Sequence, residues 1–501
     1  METMRAEKSG FKLTYKANRQ GQHAVTLSSP DRHRAVFTHV NILNQAGHTL
    51  RQENITPDIA TFIFTHFEAR GATESFNIYE EDLEQGTLLS RSNKNTLAPE
   101  HIRHQRTVSE QSFTATGIKL AHHWPIFAKL KETGYGSIIR ATLTLHQVCS
   151  SNCPFCSTIM RNRSDSISLE EAKAFVTDLY EGQAAYNRTH FPDHNAAYKK
   201  LTGHDIRLRG LILSGGGQPN LWPHFKEFVA WLSGLDIDLG LITNAFPKKI
   251  DENIYTHFKW VRLSVTPPEA SAFYPDGQFE KQYIPKTLLH SKDITTGLSY
   301  VYGPWTEDTD LTRLSDALGN LGFTYCRLLT DCNLSRSAQL CAHQDLSDRL
   351  LALDLIDKKG NPKTGIFHQL EYHGTPEEAQ ELWADGQCYL QSYNVFWDTT
   401  GHEENGDSHC YPCDSVTVLA EENSDGAVDA SERCFNPEKW GTVTSKNIAD
   451  LYSKPLHPFF DPKGICSSCL FMQNNRAVQQ LIEEKPDPST LDATVEHINF
   501  P

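Results

Sequence analysis

Long apolar stretches are missing from this 501-residue sequence, and none approaches the roughly 20 residues that cross a bilayer. The first residues, METMRAEKSGFKL, lack the apolar segment of a secretory signal peptide. Positive charge is scarce as well: 47 Lys and Arg face 62 Asp and Glu, for a net charge of −15. Such a balance argues against a broad nucleic-acid surface. We therefore expect a cytoplasmic protein that binds neither membranes nor nucleic acid.

Cysteine, in contrast, is plentiful, with 12 residues in the chain. In a reducing compartment, cysteines are better explained as metal ligands than as disulfides. The length exceeds what one compact core accommodates, so two or three domains are expected.

Three of these cysteines lie on one short loop, in the stretch TLHQVCSSNCPFCSTIM that begins at Thr144. Cys149, Cys153 and Cys156 are too close in sequence to bridge one another comfortably, but they can converge on one metal centre. Soft thiolate ligands select iron–sulfur clusters or zinc. The zinc alternative would use His146 as a fourth ligand and give a closed structural site.

The spacing of this loop resembles the cluster motif of the radical S-adenosylmethionine superfamily, and Pro154 and Phe155 match the residues common before its last cysteine. The resemblance implies a 4Fe-4S cluster on Cys149, Cys153 and Cys156, with one iron open to S-adenosylmethionine. It also implies Phe155 as a cofactor contact and a flavodoxin- or ferredoxin-type electron donor.

A glycine-rich turn follows about sixty residues later, in GLILSGGGQPNLW from Gly210. Glycines allow a backbone to approach a ligand closely. Gly215, Gly216, Gly217 and Gln218 resemble the superfamily turn that holds the methionine amino group of S-adenosylmethionine. Gln218 departs from the usual Glu, and a neutral side chain gives a weaker charge-assisted contact.

Apolar segments near 211–213, 239–245, 260–266, 298–303 and 324–330 predict strands, and they alternate with predicted helices at 168–182, 222–233 and 310–321. Alternation of this kind favours a parallel sheet. The resemblance implies an α/β fold with a partial (β/α)6 TIM-type barrel. Thr243, Asn244 and Ser264 stand at strand ends, where we expect cofactor contacts. The long stretch 182–210 is expected to line the substrate opening.

The last quarter holds a second group of cysteines, which we predict as metal ligands: Cys388, Cys410, Cys413, Cys434, Cys466 and Cys469. Their order around a predicted hairpin at 393–397 resembles the SPASM/Twitch domains, which hold auxiliary iron–sulfur clusters. The resemblance implies one auxiliary 4Fe-4S cluster, with Cys413 matching better than Cys410. Six cysteines are too few for two complete clusters, so a second one would need an open or non-cysteine ligand. The alternative is a zinc ribbon on the two C-x2-C pairs.

Two further cysteines are assigned from their positions relative to a predicted strand, without a motif. Cys332 follows a predicted strand and is a candidate catalytic hydrogen-atom donor, whereas Cys326 is expected to be a buried apolar residue.

The N-terminal third carries no chemical motif; strands are predicted near 11–15, 24–27 and 35–40, and helices at 56–70 and 78–89. We expect an N-terminal α+β domain at 1–135, the barrel at 136–345, the auxiliary cluster domain at 346–480 and a tail at 481–501.

The expected function is that of a radical S-adenosylmethionine enzyme acting on a peptide or protein side chain by oxidation, cross-linking or epimerisation. The alternative substrate is a small polar metabolite such as an aminosugar. An iron–sulfur electron carrier without catalysis is the non-enzyme alternative. Formation of 5′-deoxyadenosine under reducing conditions separates the enzyme from the carrier.

Overall fold

A computed structural model of the chain describes the strands of the first 116 residues and most of the remainder. From residue 117 onward, the described part excludes 152, 154, 159–160, 246–250, 266–283, 332, 335, 357–362, 364–365, 370–386, 400–406, 415–442, 457–461, 463–468, 470, 488–490 and 492–494. The chain divides into two compact units, one of residues 1–96 with 356–362 and one of 97–355 with 363–501.

The first unit contains two small sheets. Strands β1 to β4 form an antiparallel meander, and β5 pairs antiparallel with β6 and parallel with β7. The strands are β1 (Met4–Lys8), β2 (Phe11–Ala17), β3 (His23–Ser28), β4 (Arg34–Phe37), β5 (His39–Leu43), β6 (Thr49–Asn54) and β7 (Phe76–Tyr79). The strands predicted near 11–15 and 24–27 are confirmed as β2 and β3, whereas the single strand predicted at 35–40 is divided between β4 and β5, which belong to different sheets. The helix predicted at 78–89 is wrong at its start, because Ile78 pairs with Ile42 in β7, and the rest of it, like 56–70, lies outside the described residues.

The second unit is built on one nine-stranded sheet, in which β8 to β14 lie in sequential order and are parallel. The strands are β8 (Arg140–Thr144), β9 (Gly210–Ser214), β10 (Asp238–Thr243), β11 (Trp260–Val265), β12 (Thr295–Tyr302), β13 (Tyr325–Thr330), β14 (Ile366–Gln369), β15 (Asn394–Asp398) and β16 (His409–Tyr411). Sequential parallel order without closure confirms the predicted partial barrel.

Helices connect most of these strands. They are α1 (Gly117–Ala121), α2 (Trp124–Thr133), α3 (Leu169–Thr177), α4 (Gln183–His190), α5 (Pro192–Thr202), α6 (Phe225–Leu232), α7 (Asp308–Asn320), α8 (Arg336–Ala352), α9 (Asp450–Ser453) and α10 (Met472–Glu483). Ser168 and Glu171 form a capping box that starts α3. None of the described helices is long and apolar enough to cross a membrane.

The hairpin predicted near 393–397 is present as β15 and β16, which pair antiparallel. The same β15 also pairs parallel with β8, so that the cysteine-rich part of the chain extends the barrel sheet at its first strand. The ring of Trp397 stacks on Phe175 of α3 at 4.2 Å between centroids, and both side chains are fully buried. The two parts of the second unit therefore share a sheet and a core. Helices α1 and α2 precede the predicted boundary at 135, yet α2 packs against α10 near the other end of the chain; that boundary stays a prediction.

Residues 182–210 do not line the opening at the carboxyl ends of the strands. They fold into α4 and α5 and return the chain to the amino end of β9, where Arg209 donates its backbone N–H to the Ile139 carbonyl at 2.8 Å. The buried Tyr198 hydroxyl of α5 lies 2.8 Å from His123 Nδ1, and the His123 ring in turn contacts the Ile498 carbonyl. The expectation was wrong because the helices that connect two parallel strands return the chain to the amino ends of the strands. The substrate opening lies at the carboxyl ends.

Residues 495–501 cross the amino ends of the barrel strands, and we call them the closing segment. Asn499 donates its side-chain amide to Asp238 at the start of β10 at 2.7 Å, and His497 contacts Thr295 at the start of β12 at 2.9 Å. The Phe500 ring packs edge-on against Trp260 at the start of β11. This segment therefore covers the barrel at the edge away from the cysteine loop.

Replacement of Gly210 by Ala tests this contact. A Cβ at Gly210 would lie 2.1 Å from the Asn499 carbonyl oxygen, so either β9 or the closing segment must shift. We expect a loss of about 1–3 kcal/mol of stability, as for other overpacked sites, measured as the urea midpoint. Gly319→Ala is the matched control, because nothing lies within 4 Å of its Cβ in α7 and Gly-to-Ala changes in helices are neutral or stabilising. Equal midpoints for the two variants would contradict the close approach.

Candidate active site

The carboxyl ends of β8, β9 and β10 bring the two sequence motifs together. The cysteine loop leaves β8, and the glycine turn leaves β9 beside it. Gln218 donates its backbone N–H to the Val148 carbonyl at 2.7 Å, and Thr158 donates its hydroxyl to the Gly216 carbonyl at 3.3 Å. Segments about sixty residues apart in sequence thus form one hydrogen-bonded unit at the edge of the sheet where parallel α/β proteins bind ligands.

The cysteine loop is folded by its own backbone. Cys156 donates its N–H to the Cys153 carbonyl at 3.0 Å, and Cys149 Sγ accepts the Ser151 N–H at 3.4 Å. All three loop thiols are partly exposed. Partly exposed residues can take a ligand from solution.

Arg161 fixes the end of this loop. Its Nη1 donates to Cys156 Sγ at 3.1 Å, to the Thr158 carbonyl at 2.8 Å and to the Thr158 hydroxyl at 2.8 Å. The residue is only 8% exposed. A guanidinium against a sulfur favours the thiolate over the thiol, so Arg161 would help Cys156 to act as a ligand.

The three thiols lie close enough for their charges to interact. Burial, together with the neighbouring Cys156 and Cys149, raises the pKa of the Cys153 thiol to about 12, although Arg161 opposes the rise. Three adjacent thiolates are therefore costly unless a cation holds them.

The donor set fits an iron–sulfur cluster, because three thiols on one loop interact electrostatically and a guanidinium supports one of them. Within the part of the chain that the structure describes, no three His, Cys, Asp or Glu side chains are already arranged to hold a metal ion. The ligand assignment to Cys149, Cys153 and Cys156 thus stays a prediction from the sequence.

The glycine turn is pressed against the start of the cysteine loop. A Cβ at Gly216 would lie 1.8 Å from Gln147 Oε1, and a Cβ at Gly217 would lie 2.4 Å from the His146 carbonyl and 2.6 Å from the Val148 carbonyl. At Gly217 only glycine allows this approach, because the obstacles are backbone atoms. The predicted reason for the glycines was proximity to a cofactor; the structure adds proximity to the cysteine loop itself.

Gln218 ties the turn to its surroundings. The Ser150 hydroxyl donates to Gln218 Oε1 at 2.7 Å, and Gln218 Nε2 donates to Asn220 Oδ1 at 2.9 Å. The Asn220 oxygen also accepts the Thr243 hydroxyl at 2.6 Å. Gln218 is 3% exposed, so its amide braces the loops; direct contact with a cofactor stays a prediction.

Two of the three predicted strand-end residues, Thr243 and Asn244, join the same network. Asn244 donates its amide to the Ser151 hydroxyl at 2.9 Å and to Ser150 at 3.3 Å. Ser264 lies farther along the sheet on β11, beside Ser299 of β12. Asn244 and Thr243 therefore support the cysteine loop, whereas Ser264 is not among its described contacts.

Phe155 stands at the tip of the cysteine loop. Its ring lies 5.4 Å from that of Trp305, which follows the carboxyl end of β12. The contact spans the mouth of the partial barrel from its first strand to its fifth. Pro154, which precedes Phe155 in the motif, is outside the described residues.

The ring of His146 is hydrogen-bonded to the glycine turn. It is 2% exposed, and its Nε2 lies 2.7 Å from the Gln218 carbonyl oxygen. Burial lowers its pKa, and this hydrogen bond opposes the change. Its ring therefore braces the glycine turn, which disfavours the alternative of a zinc site closed by His146.

Asp398 at the carboxyl end of β15 contacts the same site from the sheet edge. Gln147 donates its amide to Asp398 Oδ1 at 3.0 Å and to the Thr399 hydroxyl at 3.2 Å. Asp398 is 2% exposed. The Gln147 side chain thus lies between the buried Asp398 carboxylate and Gly216 of the glycine turn.

Two of the C-terminal cysteines are neighbours around Asn475 in α10. Asn475 donates to Cys469 Sγ at 3.6 Å and accepts the backbone N–H of Tyr389, the residue after Cys388. Burial raises the pKa of Cys388 to about 11 and that of Cys469 to about 12, and Cys388 adds to the rise at Cys469. Cys388 and Cys469, which are 81 positions apart, are therefore close enough to interact, and their role as cluster ligands stays a prediction.

The structure separates Cys413 from Cys410. Cys413 packs against the apolar cluster that contains Cys388 and Tyr411. Cys410 precedes Tyr411 on β16, and adjacent strand residues point to opposite faces. Burial raises the pKa of Cys410. This placement favours Cys413 over Cys410 as a ligand, and neither assignment is more than a prediction.

Other predicted residues fall elsewhere. Cys434, Cys466 and Cys332 lie outside the described residues, so their roles stay predictions. Cys326 is fully buried in β13, as expected of an apolar residue, and Cys341 is exposed on α8.

Metal content tests the C-terminal site. If Cys388, Cys413 and Cys469 contribute to a four-iron cluster, a Cys149/Cys153/Cys156→Ala triple variant reconstituted anaerobically should retain about four irons and no zinc. Adding Cys469→Ala should remove that iron, whereas adding Cys410→Ala should leave it. Iron and zinc are measured by elemental analysis. One zinc without iron would establish the zinc-ribbon alternative instead.

Several residues of this site were not found from the sequence. Arg161, Asn220 and Trp305 carry no motif, and Asp398 reaches the loop only because β15 joins β8. A basic residue five positions after the last loop cysteine is the one local signal that was available, since cations stabilise thiolates.

Neither a protein-family model nor a curated protein matches the chain. Solved structures similar to it include SuiB of Streptococcus suis bound to precursor peptide SuiA, with 12% identity, a TM-score of 0.40, and coverage of 90% of this chain and 89% of SuiB. Another is anSMEcpe with bound AdoMet and Cp18Cys peptide, with 13% identity, a TM-score of 0.33 and coverage of 69% and 96%. A third is BtrN in complex with AdoMet and 2-DOIA, with 10% identity, a TM-score of 0.25 and coverage of 64% and 84%.

Proposed function

We propose that this chain is a radical S-adenosylmethionine enzyme. The observation that carries the proposal is the contact between the cysteine loop and the glycine turn. In this contact Gln218 donates a backbone hydrogen bond to the Val148 carbonyl at 2.7 Å. Both motifs are needed for this chemistry, and they meet at the carboxyl ends of parallel strands. When bound, a 4Fe-4S cluster and S-adenosylmethionine supply a 5′-deoxyadenosyl radical that abstracts a hydrogen atom from the substrate.

The residues of the chain would position these groups. Cys149, Cys153 and Cys156 would hold the cluster, with Arg161 favouring the thiolate of Cys156. The backbone of Gly215 to Gly217 would approach the methionine end of S-adenosylmethionine. Phe155 and Trp305 would cover the site on one side and exclude water.

A peptide or protein side chain is the substrate that we propose, because the cysteines near the C-terminal end resemble those of SPASM/Twitch domains. The nearness of Cys388 and Cys469 around Asn475 supports this proposal. A cluster there would accept or relay an electron, which suits an oxidation or a cross-link.

Reductive cleavage of S-adenosylmethionine tests the enzyme class. The wild-type chain, reconstituted with iron and sulfide without oxygen and reduced with dithionite, should release 5′-deoxyadenosine and methionine even without substrate. The products are measured by liquid chromatography with mass spectrometry. A fully iron-loaded protein that releases neither product would leave the electron-carrier alternative.

A further inference from the structure

The side of the barrel sheet away from its helices carries an unusual set of residues. On β11 and β13 the fully buried residues include Val261, Leu263 and Leu328, so the alternating residues face the other side, which we call the inner face. Here the Trp260 ring covers Gly240 and the Tyr325 ring covers Gly297, because a Cβ at either glycine would lie 2.2 Å from a ring atom. Two aromatic rings thus lie flat on the inner face.

Arg262 projects between these two rings. Its Nε donates to the Tyr325 hydroxyl at 3.2 Å. Its Cζ lies 5.5 Å from the Trp260 ring centroid and 5.9 Å from that of Tyr325, within range of cation–π attraction. The rings therefore hold the guanidinium in place without neutralising it. Among the described residues, no carboxylate forms an ion pair with it.

Two more cations lie near Arg262. Lys119 donates to the Phe500 carbonyl at 3.3 Å, and Arg140 donates to the Pro501 carbonyl. Burial lowers the pKa of Lys119, and the charges of Arg140 and Arg262 lower it further. Burial likewise lowers the pKa of Arg140, although Asp414 and other neighbours oppose the change. Lys119, Arg140 and Arg262 therefore lie close enough for their charges to interact.

The two edges of the inner face differ in what lies on them. The closing segment covers the amino ends of the strands, where the Phe500 ring packs on Trp260. Toward the carboxyl ends, the next residues on the inner face are Ser264, Ser299 and Arg327, which are aligned across β11, β12 and β13. Ser264 stands two residues beyond Arg262, a rise of about 6.6 Å along a strand. A ligand that enters from the cysteine loop would meet these polar groups first.

We propose that Arg262 binds a carboxylate of the substrate, which enters the barrel from the edge that carries the cysteine loop. A guanidinium pairs with a carboxylate through two parallel hydrogen bonds, and the terminal nitrogens of Arg262 make none of its described contacts. The substrate class is therefore an acidic one, such as a peptide segment with an Asp, a Glu or a free carboxylate end. This inference rests on the proposed function for the identity of the substrate, but the anion site can be measured without turnover.

Stabilisation by succinate tests the site. Because a ligand that binds only the folded protein raises its apparent stability, the melting temperature of the wild type should rise with succinate concentration. Neutral succinamide should give no such rise at an ionic strength held constant with sodium chloride. Arg262→Gln should weaken the affinity for succinate by about tenfold or more, as expected for a lost charged hydrogen bond. Arg188→Gln is the matched control, because Arg188 is an exposed partner of Asp205 and should behave as wild type.

The other outcomes decide against the proposal. Equal effects of succinate on the wild type and Arg262→Gln would overturn it, as would the absence of any effect on the wild type. If Arg262→Gln does not fold, Arg262→Lys keeps the charge without the planar pair of donors, and wild-type affinity in that variant would overturn it as well.

Two competitors identify the source of the anion. If inorganic phosphate stabilises the wild type more than succinate does, the group that Arg262 binds is a phosphoryl group and not a carboxylate. Competition between S-adenosylmethionine and succinate would assign Arg262 to the cofactor, and either result overturns the proposal. Since succinate binding requires no cleavage, an inactive protein that still binds succinate would separate failure of the proposed function from failure of this inference.

Discussion

Replacing Cys149, Cys153 and Cys156 together by alanine is expected to abolish release of 5′-deoxyadenosine from S-adenosylmethionine. The three thiols interact electrostatically on one loop, and Arg161 donates to the last of them. Removing all three takes away every thiolate of the cysteine loop, so a cluster should not assemble on it. We expect a drop from the wild-type rate to the detection limit, measured by liquid chromatography with mass spectrometry.

The control for this prediction is Cys326→Ala. Cys326 is fully buried in β13, and burial raises its pKa. It should therefore lose some stability through a small cavity but keep both iron and cleavage. A triple variant that still makes 5′-deoxyadenosine would show that another part of the chain holds the catalytic cluster.

The features predicted correctly from the sequence depend on short-range patterns. The strands β9 to β13 are apolar segments with polar ends, and Ser168 with Glu171 marks the start of α3 by the capping box. The cysteine loop and the glycine turn are each contained in fewer than about fifteen residues. Their junction follows from the rule that carboxyl ends of neighbouring parallel strands share one edge.

The features that were missed depend on long-range pairing. β15 lies beside β8 although about 250 residues separate Asn394 from Arg140, and no periodicity reports such a neighbour. The closing segment is equally remote, and Gly210 looks like any strand glycine until Asn499 is placed against it. The errors at 78–89 and 182–210 have the same cause, since pairing with β5 and the direction of a crossover are tertiary properties.

Gly217→Ala is expected to prevent assembly of the catalytic cluster. The sequence alone predicted only that Gly217 contacts the cofactor. A Cβ at Gly217 would lie 2.4, 2.6 and 2.7 Å from backbone atoms of residues 146, 148 and 147. These backbone atoms cannot rotate away as a side chain can, so the chain just before Cys149 must move. At Gly216 the obstacle is the Gln147 side chain, which can adopt another rotamer.

The two glycines should therefore give different results. Gly217→Ala should lower the iron content by about four per chain, since one four-iron cluster is lost, and should abolish cleavage. Gly216→Ala and Gly216→Val should keep the iron but bind S-adenosylmethionine more weakly, as measured by titration of the reconstituted protein. Gly234→Ala is the control, because its Cβ would make an ordinary contact of 3.4 Å with the Trp231 carbonyl. Wild-type iron in Gly217→Ala would mean that the cysteine loop holds its cluster independently of the glycine turn, against the arrangement seen here.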